Sequence, residues 1–333
     1  MFDWKYYLIG TCLSLALINF SHAGLAGQTA NTLLGIWSVE ELKGKTGDER
    51  IVKLRPPDRN PPLYTQTLEK LPKLNDVRLH SIRRVRLPND KKLVALTFDL
   101  CEQADDRTGY DRNIVNFLRE QQIHATFFAG GKWMRSHEEK TLQLMADPLF
   151  ELGNHGWTHG NMHVLKDQKL LDQINWTQAE YERLWGLLNH KAQALGLEQQ
   201  MQSIPRQPRS LRFPYGTCSS EALQAANAIG LSTIQWDVIS GDAARTISAE
   251  TLARNVIDQV KPGSIVVFHA NGRGMNTAAA LPIIIPALQA KGFGFVTISQ
   301  LLEQGTPEIA KECYEVRPGD NLRYDKLFGE GTE

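Results

Sequence analysis

From Leu93 onward the chain alternates short apolar runs with amphipathic stretches, and this alternation constrains the fold more than any other feature. Leu93-Val94-Ala95-Leu96-Thr97-Phe98 is a short apolar run and reads as a buried strand. Further strands are expected at 125–128, 150–153, 211–213, 232–236, 265–268 and 294–297. Helices are expected at 114–121, 139–146, 221–228, 249–260 and 281–290, with a long amphipathic insertion over 169–200. Such β-then-α units imply an α/β fold with a parallel sheet, because each crossover lays a helix on a sheet face. Seven units suit a barrel better than an open sheet, although periodicity alone does not separate the two. In a barrel, chemistry gathers at the C-terminal ends of the strands.

Those ends are unusually polar. Asp99 closes the first run, and Asn154-His155-Gly156-Trp157-Thr158-His159 follows the third. Arg212-Phe213-Pro214-Tyr215-Gly216 follows the fourth, Trp236 and Asp237 and then Asp242 the fifth, and His269 the sixth. Each has an ordinary structural reading when taken alone: Asp99 an N-cap, Arg212 a surface ion pair, His269 a satisfied core histidine. Packing explains five in phase poorly. His155 and His159 are spaced i, i+4, which on a helical turn offers two nitrogens to one metal. Asp99 is a candidate general base, His269 a candidate general acid, and the planar fork of Arg212 can hold a carboxylate.

Taken in order, the motifs resemble the polysaccharide deacetylase family, carbohydrate esterases with the chitooligosaccharide-deacetylase homology domain. The likeness covers residues 91–302 and rests on Thr97-Phe98-Asp99, His155-Gly156-Trp157-Thr158-His159, Arg212-Phe213-Pro214-Tyr215, the stretch 236–242, and Val267-Phe268-His269. It implies a distorted (β/α) barrel with seven or eight parallel strands and a divalent metal, most often Zn2+. It also implies roles. His155 and His159 would bind the metal, Asp99 would deprotonate water, and Arg212 would orient Asp99. The Tyr215 backbone N–H would stabilise the oxyanion, and His269 would protonate the leaving amine.

The sequence departs from the family twice. The family's second Asp, a metal ligand, is replaced by Leu100, which leaves a third ligand to be found. Glu102 is the first candidate and Cys101 the second. Cys101 and Cys218 both follow strands on the same rim, and a disulfide between them is expected, which would leave Glu102 as the ligand. The fourth motif lacks its first Asp and its Trp, and Asp237 is a candidate to replace that Asp by strand periodicity. Leu100, Trp236, Asp237 and Asp242 are assigned to the substrate-binding part of the site.

The expected function is hydrolysis of N-acetyl groups on an N-acetylhexosamine glycan, chitin-like or peptidoglycan. The alternatives are an amidohydrolase on a small linear amide or O-acetyl ester, and an inactive glycan-binding barrel. Lys plus Arg and Asp plus Glu stand at 37 each, so no net field points to nucleic acid. Lys5, an apolar stretch from Tyr6 to Phe20 and Ser21-His22-Ala23 read as a cleaved export signal over residues 1–23, too short for a stable membrane span. Export to the periplasm or the extracellular space would expose the cysteines to oxidation. Residues 24–90, broken by Pro56-Pro57 and Pro61-Pro62, read as an extension packed on the barrel, and residues 303–333 as a C-terminal tail. The sequence sets no oligomeric state.

Overall fold

The structure, a computed structural model, describes residues 33–74, 79–88 and 90–331; the expected export signal lies outside them. Its strands are β1 (Val52–Lys53), β2 (Ser81–Arg86), β3 (Leu93–Leu100), β4 (Asp106–Arg107), β5 (Ala125–Ala129) and β6 (Phe150–Asn154). They continue with β7 (Ser210–Leu211), β8 (Ser232–Thr233), β9 (Val238–Ile239), β10 (Ile265–His269), β11 (Gly294–Phe295) and β12 (Thr306–Ala310).

A parallel sheet runs β8-β7-β6-β5-β3-β10-β9, and β11 joins the start of β3. The order places β3 centrally, as the longest and most apolar strand requires. The sheet curls into a distorted barrel. Its edges are only two residues wide at β8 and β9, and β2 lies across the gap through bridges from Ile82 to Ile234 and from Arg84 to Ser264.

Period-two alternation sorts the β3 side chains. Val94, Leu96, Phe98 and Leu100 face the helices and join the main core, where Phe98 stacks between Phe127 and Phe268 at 5.3 and 5.2 Å. Ala95 faces the barrel interior with Phe128, Ile265 and Val267, and Asp99 shares its parity. Truncating a stacked phenylalanine such as Phe98 would cost about 3–5 kcal/mol. On β10 the same alternation brings His269 inward, directly opposite Asp99 in the parallel register.

The helix Arg112–Glu120 starts where Asp111 accepts the Asn113 and Ile114 amides. The expected insertion over 169–200 is a helix from Asp167 to Ala194, stopped at Gly196 (φ 68°) and followed by a 3-10 turn. From the segment preceding the barrel, Trp37 packs into the main core. Beyond the barrel, β12 pairs antiparallel with β2, and a short helix, Arg323–Phe328, returns toward the site. No helix among the described residues is long and apolar enough to cross a membrane.

One expectation about the cysteines is overturned. Cys218 is bonded to Cys313 of the tail, not to Cys101, which is a buried free thiol. The partner lies 95 residues further along, in a tail that returns to the rim and has no strand periodicity to announce it.

Candidate active site

Asp99 ends β3 beside the fully buried Arg212, whose Nη1 donates to Asp99 Oδ1 at 2.8 Å. The rest of the fork is held by backbone: Nη2 donates to the Gln235 carbonyl and Nε to that of Ile234, at 3.3 and 3.4 Å. The guanidinium lies over the Phe128 ring at 4.2 Å and the Trp236 ring at 5.4 Å. An unpaired charge at this depth would be costly, so each member of the pair explains the burial of the other.

His155 and His159 do face one another, with ring centroids 5.0 Å apart. The device is a loop rather than the helical turn expected from the spacing. Gly156 and His159 both adopt positive φ, 74° and 58°, and fold the loop back on itself. His155 Nδ1–H donates to the Arg212 carbonyl at 2.8 Å, which leaves Nε2 free to ligate. That Nε2 lies 3.4 Å from Cys101 Sγ and 3.8 Å from Asp99 Oδ2.

Cys101, His155 and His159 therefore converge, with ligand atoms all within 4.8 Å of one another. Two adjacent ligands of a tetrahedral zinc are separated by about 3.5 Å given ordinary Zn–S and Zn–N bonds, and the Cys101–His155 pair meets that edge. Burial pushes the Cys101 thiol up, but His159 and His155 outweigh it and hold it well below the usual thiol range. A thiolate with two imidazoles suits Zn2+. The Cys101 carbonyl accepts from Asn271 Nδ2 at 2.6 Å and Thr108 Oγ1 at 2.7 Å, so its backbone is fixed.

Glu102 does not join them, which corrects its assignment as third ligand. Its carboxylate is fully buried and committed elsewhere: Oε1 accepts from Lys132 Nζ at 2.8 Å and Ser136 Oγ at 2.6 Å, and Oε2 from the Thr108 amide at 3.0 Å. Buried Lys132 needs a counter-charge, and Glu102 is that group. Leu100 is corrected too: its parity on β3 turns the side chain into the helix-facing core, out of reach of any substrate.

His269 is held by Asp242, not Asp237. His269 Nδ1–H donates to Asp242 Oδ1 at 2.9 Å, and the His269 amide donates to Oδ2 at 2.6 Å. Thr277 Oγ1 donates to Oδ2 as well. Burial lowers the His269 pKa, yet the Asp242 charge and hydrogen bond overcome this and hold it well above 6.5. Asp237 sits at the other end of the strands, accepting from Ser264 Oγ and the Ile265 amide at 2.8 Å each. Its role is to tie the start of β10, so neither its assignment to the substrate nor its role as partner of His269 stands. Trp236 is 6 % exposed and covers Arg212.

Tyr215 adopts the left-handed region at φ 59°. Its ring packs edge-on to His159 at 4.4 Å, and its hydroxyl accepts from Gln103 and donates to the Gly331 carbonyl. Among the described residues, no hydrogen-bond acceptor takes the Tyr215 amide.

A curled parallel barrel with a paired carboxylate, a thiolate–imidazole cluster and a carboxylate-held histidine on one rim defines a hydrolase-type site. Residues 86–193 match the family profile for polysaccharide deacetylase. The chain is 27 % identical over 218 residues to a peptidoglycan-N-acetylglucosamine deacetylase of Bacillus cereus, covering 65 % of this chain and 70 % of that one. It is 29 % identical over 192 residues to a chitooligosaccharide deacetylase of Azorhizobium caulinodans, covering 54 % and 82 %. Among solved structures it resembles the Bc1960 peptidoglycan N-acetylglucosamine deacetylase in complex with a hydroxamate (TM-score 0.55, 25 % identity, covering 70 % of this chain and 97 % of that one). It also resembles a mutant of the CE4-family pseudoenzyme BA3943 (TM-score 0.54, 26 % identity, covering 68 % and 72 %). This chain is thus similar to polysaccharide deacetylases over residues 86–193 and in the fold of its barrel.

Proposed function

We propose that the protein is a metal-dependent hydrolase that removes N-acetyl groups from an N-acetylhexosamine-containing glycan. The convergence of Cys101, His155 and His159 beside the Asp99–Arg212 pair carries the reading. Curated relatives that deacetylate peptidoglycan and chitooligosaccharides support the substrate class.

An amide carbonyl is a poor electrophile and an amine a poor leaving group. Cys101, His155 and His159 would hold a divalent metal, Zn2+ by their chemistry, which would supply Lewis acidity and a lowered pKa for water. Asp99, aimed by Arg212, takes the proton of the attacking water. The Tyr215 amide donates to the developing oxyanion, a kind of contact often worth about 3–4 kcal/mol. His269, kept protonated by Asp242, gives its proton to the departing amine.

Export is part of the proposal. The apolar segment from Tyr6 to Phe20 and a disulfide between Cys218 and Cys313 both suit an oxidising compartment.

The experiment is acetate release from N-acetylglucosamine oligomers and from peptidoglycan, with chelator-stripped and zinc-restored protein. Release that depends on zinc is expected. Zinc-restored protein that releases no acetate from either glycan would replace this reading with that of a pseudoenzyme.

A further inference from the structure

The C-terminal tail reaches the two loops that carry the candidate chemistry. Its connection begins at Cys313, bonded to Cys218 three residues beyond Tyr215. Buried Asn321 donates from Nδ2 to both the Gly216 and Cys313 carbonyls. Phe328 stacks on the Tyr215 ring at 4.7 Å with the planes 19° apart, and Gly331 accepts the Tyr215 hydroxyl at 3.0 Å. On the other loop, Asn161 donates from its amide to Glu330 and from Nδ2 to Asp325, while His163 pairs with Asp325 at 2.7 Å. The tail thus staples the loop that follows His159 to the loop that carries Tyr215.

The Tyr215 loop needs such a staple. A non-glycine residue in the left-handed region costs about 1–3 kcal/mol and persists only where its surroundings over-determine it. The sheet gives little help, because β7, which feeds this loop, pairs over only two residues. Gln103 and His159 also touch the Tyr215 side chain and Thr217 is tied to Asn161, but residues 313–331 add the stacked ring on Tyr215, the acceptor for its hydroxyl, the donor to the Gly216 carbonyl and the bond to the Cys218 sulfur.

We propose that the tail is a working part of the reaction site: a brace that holds the Tyr215 backbone N–H where the oxyanion forms, with Asn321 and Phe328 as positioning residues. This rests on the deacetylase reading. An oxyanion donor acts only if it is fixed before charge develops. The segment's contacts fall on the hydroxyl and ring of the residue that supplies the donor, where they bear directly on its backbone. Because the brace is closed by a disulfide, full activity also requires an oxidising compartment.

The test compares the full-length parent with Asn321→Ala, Phe328→Ala and the double variant Cys218→Ser/Cys313→Ser. The measurements are kcat and KM for acetate release from an N-acetylglucosamine tetramer, zinc content, and hydrogen exchange over residues 214–218. The brace predicts faster exchange in that segment, zinc content equal to the parent's, KM within about twofold, and kcat lower by roughly tenfold or more. A merely structural tail would change the unfolding midpoint and leave kcat at 25 °C untouched. Variants that exchange faster but keep the parent's kcat, or that turn over faster because a lid has been loosened, would overturn the brace while leaving the deacetylase reading intact. A zinc-loaded parent that releases no acetate sinks the deacetylase reading, and this role for the tail with it.

Discussion

Asp242 grips His269 with both carboxylate oxygens, one on the ring Nδ1–H and the other on the backbone amide. The grip sets the tautomer, the ring orientation and the charge together. Because the folded-state pKa of His269 is raised well above 6.5, the imidazolium survives through neutral pH and is lost only as pH climbs through that raised value. The alkaline limb of kcat should therefore lie above the range of an ordinary histidine. Asp242→Asn removes the charge while keeping the shape, so the limb should move acidward by about one unit or more, with kcat at pH 8 reduced. A pH–rate profile of both proteins checks this; a limb that stays in place would assign it to another group. The same linkage adds stability below the unfolded pKa that fades as pH rises through the folded one.

Cys101 is expected to be a ligand rather than a bystander. Cys101→Ser should weaken zinc binding by more than tenfold, since a hydroxyl is a far poorer donor than a thiolate at neutral pH. In cobalt-substituted protein, the near-ultraviolet sulfur-to-metal charge-transfer band should be present in the parent and missing from the variant. Parent protein that takes up cobalt without this band would remove Cys101 from the metal's coordination.

Glu102 makes the complementary prediction. Glu102→Gln should leave zinc stoichiometry unchanged yet lower stability by about 3–5 kcal/mol, because Lys132 is left charged and buried without its counter-ion. Denaturant unfolding together with metal analysis separates the two roles. Loss of zinc without loss of stability would restore Glu102 as the ligand.

The contrast between these neighbours shows where the sequence was informative. The alternation beginning at Leu93 located the parallel strands except the two-residue edge strand β9, too short to show a period, and the motifs placed Asp99, His155, His159, Arg212, Tyr215 and His269 around one rim. Strand parity also carries the placement of Leu100: with Asp99 inward on β3, its neighbour faces the helices. What failed was reading beyond the strand ends, where no period operates. Glu102 and Cys101 are consecutive, yet their side chains part because Lys132, distant in sequence, claims one of them. The choice between Asp237 and Asp242 was likewise a loop question, settled by where the chain after β9 turns back to His269. The disulfide partner Cys313 lies in a tail whose path no local pattern encodes.

Arg212 should tolerate almost no replacement. Its fork serves three acceptors at once, the Asp99 carboxylate and the Ile234 and Gln235 carbonyls, while Phe128 and Trp236 lie against its plane. Lysine keeps the charge but offers a point donor on a flexible stem, so it can reach Asp99 or the carbonyls and not all three. The Arg212 carbonyl also receives the His155 ring, so a shift of this segment would be felt at the metal. Arg212→Lys should lower kcat by about a hundredfold through misplacement of the base, with KM little changed and zinc affinity reduced by less than in Cys101→Ser. Steady-state kinetics with parallel zinc titration measures both. A lysine variant within about threefold of the parent in kcat would mean that Asp99 is aimed by the strand rather than by the guanidinium.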